Sequence, residues 1–319
     1  MPVINKPSDY FNVVTDTGAN ILATAQALYP SNSLVWIKDR ANANNHQLID
    51  NVRGSSAVLQ SNSTAAETTY TAPSGNSVAW VWRAGGAAVA NNAGSIAAQV
   101  SAGLAQGFSV VTYTGTGAAA TVGHGLGVAP KMVIVKKRGA VGDWPVYHSG
   151  LTSASYCLFL DGTNAQQTDT PPTWNNTSPT SSVFSIGSNS QLNVSGIATV
   201  AYCFSEVAGY SKFGSYVGNG SADGPFVYCG FRPRYVMVKM SSSTGDWRIL
   251  DTTRNTFNAA NSALFPNLSD AEASTTLIDI DITSNGFKLR NSLSTLNASG
   301  GTYIFMAFAE APQKFSLAR

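Results

Sequence analysis

The chain repeats itself, and the repeat limits what it can fold into. Lys131-Met132-Val133-Ile134-Val135-Lys136-Lys137-Arg138, followed by Gly142-Asp143-Trp144, returns as Val236-Met237-Val238-Lys239 and Gly245-Asp246-Trp247; the offset is constant, since 236 − 133 = 103 and 247 − 144 = 103. Upstream, Tyr113-Thr114-Gly115-Thr116-Gly117 recurs as Tyr216-Val217-Gly218-Asn219-Gly220 at the same 103. Downstream, Leu192-Asn193-Val194-Ser195-Gly196 recurs as Leu296-Asn297-Ala298-Ser299-Gly300 at 104, so one inserted residue separates the copies. A third copy stands at the front. Phe11-Asn12-Val13-Val14-Thr15 matches Phe108 to Thr112 at 97, Val35 to Arg40 matches Val133 to Arg138 at 98, and Val78 to Trp82 matches Val200 to Phe204 at 122. That copy lacks 122 − 98 = 24 residues, roughly the counterpart of Pro171 to Asn193. A fixed period of this kind means one structural unit used several times.

The predicted fold class is all-β, with three tandem β-sandwich pseudo-repeats, the first shortened. Residues 1–86 form an N-terminal arm and the trimmed repeat, 87–107 an Ala/Gly/Ser-rich linker, 108–209 the second repeat, and 210–319 the third repeat and tail. Leu34 to Ile37 and Met132 to Val135 are short, continuous apolar runs bounded by turn residues, the pattern of central strands covered on both faces. Lys38, Lys136 and Lys239 follow them and are expected as solvated strand ends. Ser284-Asn285-Gly286 inside Thr276 to Phe287 signals a hairpin. In 87–107 only Ile96, Ala98 and Val100 alternate as a strand would, and the alanines permit a helix. No other window carries a helical stripe.

Charged residues are 11% of the chain, against about 25% in ordinary domains, so solubility rests on Ser, Thr, Asn and Gly. That balance suits an extracellular or virion particle better than a cytosolic enzyme. The net charge of +2 is small and the basic residues are scattered, which argues against nucleic acid as a partner. Met1 to Pro7 has no apolar core of a secretory signal, and no stretch approaches the roughly 20 apolar residues of a membrane span, so membrane insertion is not expected. Cys157, Cys203 and Cys229 show no paired spacing and read as buried thiols.

Chemistry is sparse. His46, His124 and His148 are the only histidines, and the third copy has Asp251 where the second has His148. No HExxH, HxH or GxSxG occurs, and the glycine pairs Gly115-x-Gly117 and Gly123-His124-Gly125 lack the Gly-Lys-Ser/Thr of a phosphate loop. No metal site, cofactor or catalytic residue is expected, and the chain does not read as an enzyme. Asp143, Asp161, Asp246, Asp251 and Glu310 are available as paired carboxylates, but sequence cannot bring two of them to glycosidase spacing. The repeated Gly-Asp-Trp has two readings. Trp144, Asp143, Trp174, Trp247 and Asp246 can stack on and hydrogen-bond a sugar, or the indoles can fill the core while the carboxylates cap turns. The second reading is favoured.

Phe108 to Gly115, Gly125-Leu126-Gly127-Val128-Ala129-Pro130-Lys131-Met132-Val133-Ile134-Val135-Lys136 and Tyr210-Ser211-Lys212-Phe213-Gly214-Ser215-Tyr216 resemble a family of tailed-phage virion proteins, the tail or tail-fibre-like proteins of marine and environmental phages. Asn297 to Tyr303 and Asp50-Asn51-Val52-Arg53-Gly54 also look like its motifs. The resemblance covers nearly the whole chain and implies a virion component made in the host cytoplasm. It transfers no residue of assigned chemical role. The expected function is therefore structural, in the tail or tail fibre, with a part in host attachment. Expected partners are copies of itself in a trimer, other virion proteins and a host surface glycan. The alternatives are a capsid decoration or head fibre, and a polysaccharide depolymerase.

Overall fold

Runs rich in Val, Ile, Phe, Tyr and Trp, broken by Gly, Ser and Asn, form strands throughout the computed structural model, which describes residues 4–30, 33–274 and 279–311. The first unit opens with a single 3-10 turn at Pro7–Asp9. It continues through β1 (Phe11–Thr17), α1 (Ile21–Leu28), β2 (Ser33–Asp39), β3 (Gln47–Asp50), β4 (Gly54–Leu59), β5 (Thr68–Thr69) and β6 (Asn76–Arg83). The second contains β7 (Val89–Asn91), β8 (Ala98–Gly103), β9 (Phe108–Thr114), β10 (Ala120–Gly123), β11 (Met132–Lys137), β12 (Pro145–His148), β13 (Tyr156–Phe159), β14 (Gln167–Thr168), β15 (Val183–Ile186) and β16 (Ala198–Phe204). The third contains β17 (Ser211–Val217), β18 (Phe226–Tyr228), β19 (Arg232–Met240), β20 (Arg248–Asp251), β21 (Ser262–Ala263), β22 (Ala273–Ser274), β23 (Ile280–Thr283), β24 (Gly286–Leu289), α2 (Ser294–Asn297) and β25 (Thr302–Ala311).

One antiparallel sheet recurs in all three. Its strand order is β1-β6-β2-β3-β4-β5 in the first unit, β9-β16-β11-β12-β13-β14 within the second, and β17-β25-β19-β20 in the third. The registers coincide as well. Val35 pairs with Ile49 and Val81, Val133 with Tyr147 and Cys203, and Val236 with Leu250 and Ala307.

Alternation along the central strands explains their continuous apolar runs. Leu34 and Trp36, Met132 and Ile134, and Tyr235 and Met237 all point into one shared core. Val35 and Ile37, Val133 and Val135, and Val236 and Val238 point outward into three separate cores. A strand buried on both faces has no polar side to alternate with. The outer covers differ. β10 and β15 cover the second sheet, and β18, β24 and β23 the third. In the first unit α1 packs there through Ile21 and Ala25. The segment missing from the first copy includes the counterpart of β15, so a β10-like strand would have no partner, and a helix, which bonds internally, takes its place.

Three expectations change. The copies follow one another along the chain, each two-layered, and their inner faces close on one core. Residues 87–107 are not a linker. They carry β7 and β8, and β8 pairs with β9 over Ala98↔Tyr113 to Gly103↔Phe108. The helix α1 was not legible, since Ala-rich ILATAQAL presents no wide apolar stripe. The three lysines are fully buried rather than solvated. The Asn285 hairpin is present, with Thr283 paired to Gly286; its upstream portion from Thr276 to Ile278, like the tail Gln313 to Arg319, lies outside the described residues.

The repeated Leu-Asn-x-Ser-Gly motif has a structural use. Asn193, 1% exposed, accepts from Thr116 N–H at 2.8 Å and donates to Gly187 O at 2.8 Å and Ala118 O at 2.6 Å. Asn297 does the same for Asn219 N–H, Asn291 O and Ser221 O. The glycines are required here. A Cβ on Gly115 would lie 2.3 Å from Val194 O, and one on Gly218 2.3 Å from Ala298 O. Replacing Asn193 by Ala leaves several buried groups unpaired and is expected to cost about 1–3 kcal/mol, readable as a lowered urea midpoint. An unchanged midpoint would show that water replaces the amide.

Candidate functional site

Equivalent positions in the three copies join the units. Trp144 Nε1 donates to Gln60 O at 2.9 Å and Ser63 O at 3.1 Å, from the second unit into the first. Trp247 Nε1 donates to Phe159 O at 2.8 Å, from the third into the second. His46 occupies the matching position in the first unit (144 − 98 = 46) and meets Phe265 O of the third at 2.9 Å, while Trp36 Nε1 donates to its other nitrogen. The contacts run in a ring. Two of the lysines reinforce it: Lys136 Nζ donates to Thr64 O at 2.8 Å, and Lys239 Nζ to Thr163 O at 3.1 Å and Asn164 O at 3.0 Å, whereas Lys38 Nζ donates within its own unit to Asp39 O and Asn42 O. Burial lowers all three lysines to about 8. Carbonyl oxygens around each ammonium are what make such burial tolerable.

A second set of contacts forms the seams between units. Asp50, His148 and Asp251 are equivalent positions. Asp50 accepts from Tyr202 Oη at 2.8 Å and pairs with Arg53, which pairs with Glu67, which pairs with Arg138. Asp251 accepts from Trp80 Nε1 at 3.0 Å and begins the parallel chain Arg254, Glu272, Arg40. The seam between the second and third units is neutral. His148 Nε2 meets Phe305 O at 3.1 Å, and Gln166 bonds Thr152 where the others have glutamates. Burial lowers His148 to about 4, so its ring is uncharged at neutral pH.

The proposed sugar-stacking indoles are therefore unavailable. Trp144, Trp174 and Trp247 are 0%, 2% and 1% exposed. Trp174 packs edge-on against Tyr147, with centroids 6.0 Å apart, in the outer core of the second unit. The core-filling alternative is the one observed. Asp246 is tied to Asn267 Nδ2 at 2.7 Å. Glu310 is bound by Arg232, and Asp251 lies in its seam, so neither faces a cleft with another carboxylate.

Asp143 and Asp161 do come together. They line a cleft of about 490 Å³ on the second unit. Asp143 sits before β12, Asp161 after β13 and Asp169 after β14, while Pro171 and Asn189 to Gln191 close the far wall. That wall belongs to the segment missing from the first copy. Asp143 accepts from Gln191 Nε2 at 2.7 Å, and Asp161 accepts from Trp144 N–H at 3.0 Å. Burial raises Asp161 to about 6 despite that bond, and the charge of Asp143 adds to the rise. Asp169 is committed to Thr173 and the Cys157 thiol, whose own proton is held more tightly through burial. Among the described residues no three His, Cys, Asp or Glu side chains converge as metal ligands. The sequence offers Asp161 only as one of five available carboxylates; its alignment with Asn62 and Asn267, which would single it out, is obscured by loop lengths.

No curated protein and no solved structure gives a significant match. A family model does match, over residues 6–75 and 70–312, and the chain belongs to that family, described as a domain of unknown function (DUF7483).

Proposed function

We propose that this chain is a structural component of a tailed-bacteriophage virion, in the tail or tail fibre, and that it contributes to host-surface attachment. One observation carries the reading furthest. Equivalent positions in the three units hold them together, while the outer layers that face solvent differ: a helix, a strand pair with a long loop, and a three-stranded sheet. Varied surface on a repeated rigid frame is the design of a recognition protein. The motif resemblance across nearly the whole chain and the low charge support a particle component, made in the host cytoplasm and assembled with copies of itself and other virion proteins.

A polysaccharide depolymerase is the second reading. It draws on the Asp143–Asp161 pair, two carboxyl groups in one cleft, one of them with raised affinity for its proton. Labelling the chain in intact particles and imaging them tests the first reading. Label on the tail is expected, and label on the capsid or absent from the particle defeats it. Sustained release of reducing ends from host polysaccharide, abolished in Asp161→Asn, would establish the second.

A further inference from the structure

The three units solve one local problem in two ways. The N–H of His46, Trp144 and Trp247 each needs an acceptor, supplied by Asn62 at 3.0 Å, Asp161 at 3.0 Å and Asn267 at 2.9 Å. In the first and third units the amide then donates onward, Asn62 Nδ2 to Asn45 Oδ1 at 2.8 Å and Asn267 Nδ2 to Asp246 Oδ1 at 2.7 Å. Both pairs are closed. In the second unit a carboxyl group replaces the amide, so nothing passes to Asp143. Asp143 Oδ2 takes Gln191 instead, and, the backbone N–H of Asp161 itself apart, Asp143 Oδ1 and Asp161 Oδ2 take no donor from another of the described residues.

Asparagine would serve the fold better at this position, as the other units show, because a half-buried carboxylate costs solvation that an amide does not. The two open acceptors belong to the wall of the cleft. We propose that the cleft binds a neutral sugar residue, with one hydroxyl group donating to Asp143 and a neighbouring one to Asp161. The rest of the lining fits that ligand. Asn164 and Gln167 offer amide donors and acceptors for further hydroxyls, and Phe159 with Pro171 gives an apolar surface for the C–H face of a pyranose. Among the described residues no lysine or arginine lines the cleft, so phosphate, sulfate and uronate groups would find no counter-charge there. Water can fill two acceptors, but a ring presenting several hydroxyls in fixed geometry fills them with less ordering entropy.

This inference rests on the attachment reading for its biological sense, but it is tested on the isolated chain. The full-length protein is titrated with maltohexaose, cellohexaose, mannohexaose and chitohexaose, and binding is read by calorimetry. At least one is expected to bind at millimolar concentration or below. Asp161→Asn restores the closed pair of the other units, so it is expected to melt no lower than the parent yet lose about tenfold or more in affinity, since one donor–acceptor contact is worth roughly 1.4 kcal/mol. Gln167→Ala, outside the seam contacts, provides a second variant with weakened binding. Silence from all four sugars overturns the proposal, as does undiminished binding by Asp161→Asn, or binding of glucosamine or calcium in place of the neutral probes. A chain located on the tail but blind to the four probes would remove this site and leave the attachment reading standing.

Discussion

Asp251→Ala is expected to destabilise the whole molecule by about 3–5 kcal/mol, the cost of taking one anion out of a buried ion-pair network and leaving a positive charge uncompensated. The Arg254 side chain is fully buried, with its Nε 2.6 Å from Asp251 Oδ2. Removing the carboxylate leaves Glu272 as the one anion between Arg254 and Arg40, and also leaves the Trp80 indole N–H without its acceptor. The loss should appear in all three units at once, because the seam joins the first to the third and the inner core is common. Tryptophan fluorescence and far-ultraviolet dichroism in urea should give coincident transitions at a lower midpoint. A loss below about 1 kcal/mol would mean that the seam is replaceable by water. Replacing Asp251 and Arg254 together by Leu should recover most of the stability, since no buried charge is then unpaired. Acid should act on the same seam. Although burial opposes it, hydrogen bonds from Arg40, then the charge of Arg254, hold Glu272 below its usual 4.5. A carboxylate depressed in the folded state stabilises above its unfolded pKa, and that contribution disappears as pH falls through the folded value.

Trp144→Ala should be comparably damaging, by about 3–5 kcal/mol for a fully buried indole truncated to a methyl group. Trp144 lies in the shared core and also ties the second unit to the first through Gln60 O and Ser63 O. Trp144→Phe separates the two contributions. It keeps most of the volume and gives up the inter-unit bonds, for an expected loss of about 1–2 kcal/mol. If both variants lost the same amount, the hydrogen bonds rather than the packing would dominate. Thermal melts of the pair decide the matter.

Much of the β architecture could be read from the chain because strand identity is local. Met132 to Val135 and its copies are too apolar to be anything but central, and their common offset fixes a common register. The sharing of the core could not be read. Alternation shows that a strand has two buried faces, but it does not say whose side chains bury them. The lysines misled for a related reason. A lysine after an apolar run is ordinarily solvated, and only the carbonyls of a neighbouring unit, distant in sequence, reveal Lys136 and Lys239 as buried ties. The cleft was half legible. Asp143 stood out through Gly-Asp-Trp, whereas Asp161 acquires its meaning only when its hydrogen bond aligns it with Asn62 and Asn267.

Closing three copies within one covalent chain also changes what substitution can do. In a trimer of identical subunits, exchanging an asparagine for an aspartate places three carboxylates round the axis, and any strain is paid three times. Here the carboxylate occurs once, at Asp161, while Asn62 and Asn267 keep the amide bonding in the other two units. Fusion of the copies frees each position to diverge alone, so a novel surface can arise in one unit while its two siblings preserve the frame.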